Sequence, residues 1–474
     1  MSRIAQRQSL RFAIAIILLC VFLPGQVAKP PLAVGAVIPK VTCDANPDQT
    51  YALYLPSRFS STRKWPIIYV FDPGAHGQLA VETVRSAAET FGYIVAASNN
   101  AHNGPLGGTT EAAQAIWRDT QSKFPIDERR RYSAGMSGGA RVATGIALGC
   151  KDCLAGVIVN AATFPGRTSP PEEMKFAYFA AVGDADFNFP EFFRLRQKFE
   201  AVHARYRVRI FAGEHGWAPP EVWLEALNWM DLQAMASGFL PRDPQRIQQS
   251  IKERMSRAEN LRSDDNSLEA AREYQSVVRD FSMLADVTQA RKQLAVLAKD
   301  KAYKNAEKDE ASPVSEQAQI TADISAQISA IPQGLDAVAF TELRSRMSDL
   351  KKKADSAASL NDHNALLARR TRQQLVAEAF ESGQGSADLK KYDEALQYFE
   401  IAAAGARHPE WSHYQRARVC ALKGDKKGVI AALKLAVAAG FNDTSALDEN
   451  EFQHYRQLPE FQVLVTEIKT KAKP

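Results

Sequence analysis

From about Thr50 to Gly238 the chain alternates short apolar runs with amphipathic stretches, punctuated by Gly and Pro turns. From Pro241 onward it becomes rich in Ala, Lys, Glu and Gln and poor in Gly and Pro. The first texture predicts an α/β unit and the second an all-helical one. Their junction is expected at Gly238-Phe239-Leu240-Pro241, because a proline disfavours helix at the residue before it. In the first half, strands are predicted at 51–55, 66–71, 93–97, 131–134, 154–160, 176–182 and 207–212. Several are continuous apolar runs, as strands buried on both faces of a mainly parallel sheet require. Helices are predicted at 81–91, 110–124, 139–148, 190–204 and 220–236. This rhythm implies a doubly wound sheet whose ligand site lies beyond the C-terminal strand ends.

The N-terminus adds a different signal. Arg3, Arg7 and Arg11 precede an apolar run from Phe12 to Leu23, broken by Pro24-Gly25. A basic start, a 12-residue apolar segment and then helix breakers read as an export signal. Spanning a bilayer takes about 20 residues, so an uncleaved anchor is the alternative rather than the first reading. The signal segment is taken as 1–36, with its cleavage site open. Its loss would remove four basic residues and no acid from a formal charge of +5, leaving +1. The mature chain is then near neutral and shows no dense basic patch, which argues against a nucleic-acid partner. Five cysteines in 474 residues exclude a disulfide-built scaffold.

Chemistry enters at Gly135-Met136-Ser137-Gly138-Gly139. This G-x-S-x-G follows a predicted strand and opens a predicted helix, the setting of a nucleophile elbow. Small residues are needed because the turn is sharp and its neighbours pack closely. A serine nucleophile needs a base, and the base needs an orienting carboxylate. Downstream strand ends supply both. Asp184 and Asp186 lie in Gly183-Asp184-Ala185-Asp186, and His215 lies in Gly213-Glu214-His215-Gly216-Trp217. Asp186 is the expected acid, since the loop must leave the strand before presenting a carboxylate; Asp184 is the alternative. Either could instead cap the helix predicted to begin near Pro190. The intervening His203 falls in an amphipathic helix and reads as a surface residue. The oxyanion donors are expected to be the backbone amide of Gly138 and that of Gly74 or Ala75, in the loop Asp72-Pro73-Gly74-Ala75-His76-Gly77. His76 and His102 are expected to line the cleft without catalysing, and the loop 103–108 to shape it. The triad needs no cofactor, and no metal-ligand spacing is found.

On these residues, positions 40–240 resemble secreted α/β-hydrolase-fold esterases of the polyhydroxybutyrate depolymerase, feruloyl esterase and dienelactone hydrolase type. The resemblance is carried by Tyr69-Val70-Phe71-Asp72-Pro73-Gly74, Ser98-Asn99-Asn100, the Gly135–Gly139 elbow, Gly183-x-x-Asp186 and Gly213-x-His215-x-Trp217. It implies an acyl-enzyme on Ser137 and leaves the substrate open.

Cys150 and Cys153 form C-x-x-C at a helix end, which suits a local disulfide better than a redox motif, which opens a helix. Cys43 and Cys420 stand alone, although Cys43 could pair with either. In the helical half, Ala395, Phe399 and Ala402 recur as Val429, Leu433 and Ala436, with a period of 34. That is the length of a tetratricopeptide repeat, expected over 371–474, with a weaker copy near Leu268–Val278. A generic helical bundle is the alternative. Residues 241–370 read as a charged helical spacer, a coiled coil or a partial repeat region, with breaks at 311–313 and 331–334. The whole is expected to be an exported serine hydrolase of esters whose helical repeats dock a protein partner or the substrate. A peptidase or thioesterase with the same triad, or a binding protein with a spent site, are the alternatives.

Overall fold

The computed structural model describes residues 32–104, 106–166, 168–309, 311–356 and 363–471. The basic and apolar parts of the expected export signal lie outside the described residues. Eight strands form one sheet: β1 (Val37–Cys43), β2 (Asn46–Tyr54), β3 (Trp65–Phe71), β4 (Ile94–Ser98), β5 (Ile126–Met136), β6 (Gly156–Asn160), β7 (Ala177–Gly183) and β8 (Tyr206–Phe211). Their spatial order is β1-β2-β4-β3-β5-β6-β7-β8. β2 runs antiparallel to β1 and β4, and every other pair is parallel.

The sheet is covered by α1 (Gly77–Phe91), α2 (Leu106–Lys123), α3 (Gly138–Gly149), α4 (Phe189–Ala201) and α5 (Pro220–Ala236). Strand periodicity assigns their faces. Ile67, Tyr69 and Phe71 of β3 join the cluster built with α2, α3 and α4, whereas Ile68 and Val70 join the one built with α1 and α5. Alternate residues of one apolar run thus serve two cores. Truncating the fully buried Ile68 to Ala would cost about 2–5 kcal/mol. Sequence patterning missed β1. It is an edge strand containing Pro39, with only Val41 and Cys43 fully buried, so it lacks the apolar run that marks the inner strands.

After Gly238 the chain is helical: α6 (Pro244–Ser263), α7 (Ser267–Phe281), α8 (Thr288–Leu297), α9 (Lys301–Asp309), α10 (Ala311–Ser329), α11 (Ala337–Asp355), α12 (His363–Asp388), α13 (Tyr392–Gly405), α14 (Glu410–Lys423), α15 (Lys426–Ala438) and α16 (Pro459–Lys471). Asp243, Asn266, Asp336 and Asp425 cap α6, α7, α11 and α15 through their side chains. In the segment read as a spacer, a coiled coil or a partial repeat region, α11 packs against the helices that follow it. Leu343, Met347 and Leu350 of α11 are buried with Leu375 of α12 and Ile401 of α13. A narrow stripe at i, i+4 and i+7 was enough to bury a helix that is charged elsewhere. All six residues of the 34-residue repeat are buried, as are Ala270, Tyr274 and Val277. They are spread over four separate apolar clusters rather than one continuous core.

The helical half is joined to the sheet by a charged seam that the apolar pattern does not reveal. Helix α7 buries Ala270, Tyr274 and Val277 on one stripe, and turns Glu269, Glu273 and Asp280 toward the sheet. Glu273 accepts from Arg207 of β8 and Arg254 of α6, both at 3.1 Å. Asp280 accepts from Arg254 at 2.6 Å and from Trp229 Nε1 of α5 at 2.9 Å. Glu269 pairs with Arg196 of α4 at 3.0 Å. Arg207 also donates to Glu225 of α5 at 2.6 Å. Burial opposes the charge on Glu225, but Arg207, Arg257 and Arg209 outweigh it and hold the carboxyl at about 2.

Candidate active site

Ser137 stands between β5 and α3 with φ 53° and ψ −121°, outside the regions side chains favour. The tight turn depends on its glycines. A Cβ on Gly135 would lie 2.3 Å from the Gly139 carbonyl carbon, and one on Gly139 would lie 2.0 Å from the Phe71 carbonyl oxygen. The Ser137 N–H donates to the carbonyl of Asn160, at the end of β6, at 2.9 Å. Ala75 and Ala161, in the loops after β3 and β6, also have positive φ, as do Asp152, His203, Asp265 and Lys390 elsewhere.

The loops after β7 and β8 meet the turn. His215 Nε2 is 3.0 Å from Ser137 Oγ. His215 Nδ1 is 3.0 and 3.1 Å from the two carboxylate oxygens of Asp186. With the proton on Nδ1, the ring donates to Asp186 and accepts from the serine hydroxyl. Asp186 is fully buried and also accepts from the Asn188 N–H at 2.8 Å. The Phe187 ring stacks on the imidazole with centroids 4.2 Å apart. Asp184 has a different place. Its Oδ1 accepts from the Gly213 N–H at 3.0 Å, which ties the acid-bearing loop to the start of the histidine-bearing loop.

The structure differs from expectation at the second oxyanion donor. The Gly74 N–H donates to Asp72 Oδ1 at 2.8 Å, and the Ala75 N–H to the Asp72 carbonyl at 3.2 Å. Both amides are therefore engaged. The Asp72 carboxylate, 3% exposed, takes the amides of Gly74 and His76, and the Ala75 amide closes a turn onto the Asp72 main-chain carbonyl. Asp72 Oδ2 accepts from Trp217 Nε1 at 3.1 Å, which fastens this loop to the one carrying His215. At Gly138, the first residue of α3, the amide has no carbonyl one turn back to bond. A Cβ there would fall 1.7 Å from Asn103 Oδ1, so the Asn103 amide group lies against the elbow. Sequence reading had placed Asn103 only in a cleft-shaping loop; a loop asparagine gives no local signal of what it will face.

His76 and His102 bond elsewhere: His76 Nδ1 to Asp72 Oδ1 at 3.0 Å, and His102 Nδ1 to the Asn100 carbonyl at 2.8 Å. His203 is exposed beyond the end of α4. Cys150 and Cys153 are joined in a disulfide at the end of α3, while Cys43 and Cys420 are free and buried. Among the described residues no group of three or more His, Cys, Asp and Glu is arranged to hold a metal ion. Nor is any described helix long and apolar enough to cross a membrane.

No family model and no curated protein matches the chain. Solved structures similar to it include a fluorophosphonate-binding serine hydrolase of Staphylococcus aureus, at 14% identity and a TM-score of 0.35, covering 42% of this chain and 99% of that one. A ferulic acid esterase matches at 18% identity and a TM-score of 0.32, covering 40% and 95%. An S-formylglutathione hydrolase from Agrobacterium tumefaciens matches at 14% identity and a TM-score of 0.33, covering 38% and 88%. At these scores the likeness adds nothing to the geometry of the site.

Proposed function

We propose that the chain is a serine hydrolase of the α/β-hydrolase type that cleaves carboxylic esters through an acyl-enzyme on Ser137. One observation carries the reading. A serine on a strained strand-to-helix turn, a histidine and a fully buried carboxylate lie in a single hydrogen-bonded line, each from a different strand end. His215 takes the Ser137 proton as Oγ attacks the carbonyl carbon, and Asp186 stabilises the imidazolium that forms. The imidazolium then protonates the leaving alkoxide. In deacylation His215 activates a water, which releases the acid and restores the serine. The Gly138 N–H is one oxyanion donor. The Gly74 and Ala75 amides already have acceptors on Asp72, and the Asn103 side chain, whose Oδ1 lies nearest Gly138, supplies the second donor only with its amide turned to present Nδ2.

A fluorophosphonate probe on the intact protein tests this. Covalent labelling that is lost in Ser137→Ala supports a live nucleophile, and an unlabelled wild type overturns the reading in favour of a scaffold. Turnover on a matched panel of esters, thioesters and peptides then ranks the chemistries. Thioester or peptide preference would correct the ester assignment. Export by the N-terminal segment belongs to the same proposal and is checked by N-terminal sequencing of the secreted protein.

A further inference from the structure

Two helices of the C-terminal half reach the loops that carry Asp186 and His215. Arg370, early in α12, is 8% exposed. Its Nε donates to the main-chain carbonyl of Asp184 at 2.5 Å, and its guanidinium lies 3.7 Å over the Phe189 ring. Gln317 of α10, 2% exposed, donates from Nε2 to the Phe187 carbonyl at 3.3 Å. These contacts bracket Asp186 on both sides, and one falls on the residue whose ring stacks on His215. On the neighbouring loop, Glu214 faces Arg372 at 3.6 Å and Arg407 at 3.7 Å.

Polar positions interrupt the buried stripes of both helices. On α10 the stripe includes Val314, Gln317, Thr321, Ile324 and Ile328; on α12 it includes Leu367, Ala368, Thr371, Leu375 and Ala379. The far ends share one apolar cluster. Among the described residues, Gln317 Oε1, Thr321 Oγ1 and Thr371 Oγ1 have no hydrogen-bond partner, and neither does Gln327 Oε1 farther along α10. Burial also pulls the Arg370 guanidinium down to about 10, which still leaves it charged at neutral pH beside Asp184 and Asp186.

We propose that Arg370 and Gln317 are positioning residues of the Ser137–His215–Asp186 site, holding the backbone of 184–187 so that Asp186 and Phe187 together fix the imidazole. This rests on the serine-hydrolase reading. It makes the helical half part of the catalytic apparatus and not only a docking surface.

The test uses the full-length chain, p-nitrophenyl acetate turnover and fluorophosphonate labelling. Arg370→Met should lower kcat about 10- to 100-fold with KM within about twofold, since misplacing a catalytic group by about 1 Å costs this much. Arg370→Lys, which keeps the charge and a donor, should recover part of the loss. Gln317→Leu should lower kcat about fivefold or more by the same cause. Arg254→Met, which breaks the charged seam around α7 and makes no contact with the 184–187 loop, is the control and should leave kcat unaltered. The proposal is overturned if kcat is unmoved in both Arg370→Met and Gln317→Leu. A rise in KM alone, or an equal loss of kcat in Arg254→Met, overturns it too. Should Arg370→Met not fold, Arg370→Lys and Gln317→Leu carry the same criterion. A wild type that neither labels nor turns over sinks the hydrolase reading itself, whereas an active wild type with indifferent variants sinks only this inference.

Discussion

The helical half meets the sheet in two places built on different principles. Around α7, buried charges are paired: Arg207 and Arg254 are matched by Glu225, Glu273 and Asp280, and the tryptophan between them has an acceptor. Around α10 and α12, the buried Arg370 bonds to a main-chain carbonyl while the buried Arg372 faces Glu214 and Asp355, and three neighbouring polar atoms have no hydrogen-bond partner among the described residues. A network of paired charges holds two bodies together, because removing either partner strands a charge in low dielectric. A seam with fewer ion pairs contributes less to stability. The first seam should therefore govern stability and the second should govern turnover.

The largest effects should come at the line of three residues that the second seam supports. Ser137→Ala and His215→Ala should each reduce ester turnover by on the order of 10⁴-fold or more with folding intact, and the double variant should be little worse than either, since such residues act as a unit. Substantial activity in His215→Ala would move the base elsewhere. Next, Asp186→Asn should lower kcat by about 10⁴-fold. Asp184→Asn should cost far less, because its carboxylate caps Gly213 and does not touch the imidazole. The reverse ranking in steady-state kinetics would exchange their roles.

The charged seam predicts a separate phenotype. Arg254→Met should lower unfolding free energy in urea by about 3–5 kcal/mol, with kcat per folded molecule preserved. The smallest effect is in pH. The Glu225 and Glu269 carboxyls are held at about 2 against an ordinary value of 4.5. Their folded-state values lie below those of the unfolded chain, so the unfolded chain takes up protons first as pH falls. Their contribution is complete above about 4.5 and declines toward about 2, so the thermal midpoint should drop across that interval. In Glu225→Gln the decline should be shallower; an identical slope would mean that this carboxylate does not report on the seam.

The sequence by itself determined the local parts. Continuous apolar runs marked β3, β4, β6 and β7, and the small residues around Ser137 marked a turn that only glycine neighbours permit. Both are legible because their cause lies within a few residues of chain. The chain order of Ser137, Asp186 and His215 was legible for the same reason, as each follows its own strand end. Tertiary structure alone decided what those loops face. Asp184 and Asp186 differ by two residues, and only the approach of the 213–215 loop gives one of them to Gly213 and the other to His215. The Asp72 carboxylate takes the amides of Gly74 and His76, which no spacing foretells. Gln317 and Arg370 meet the acid-bearing loop from 130 and 186 residues away, on helices whose charged texture looked like solvent-facing surface. Periodicity records which face of a helix is apolar; it carries no information about which distant carbonyl a buried arginine will find.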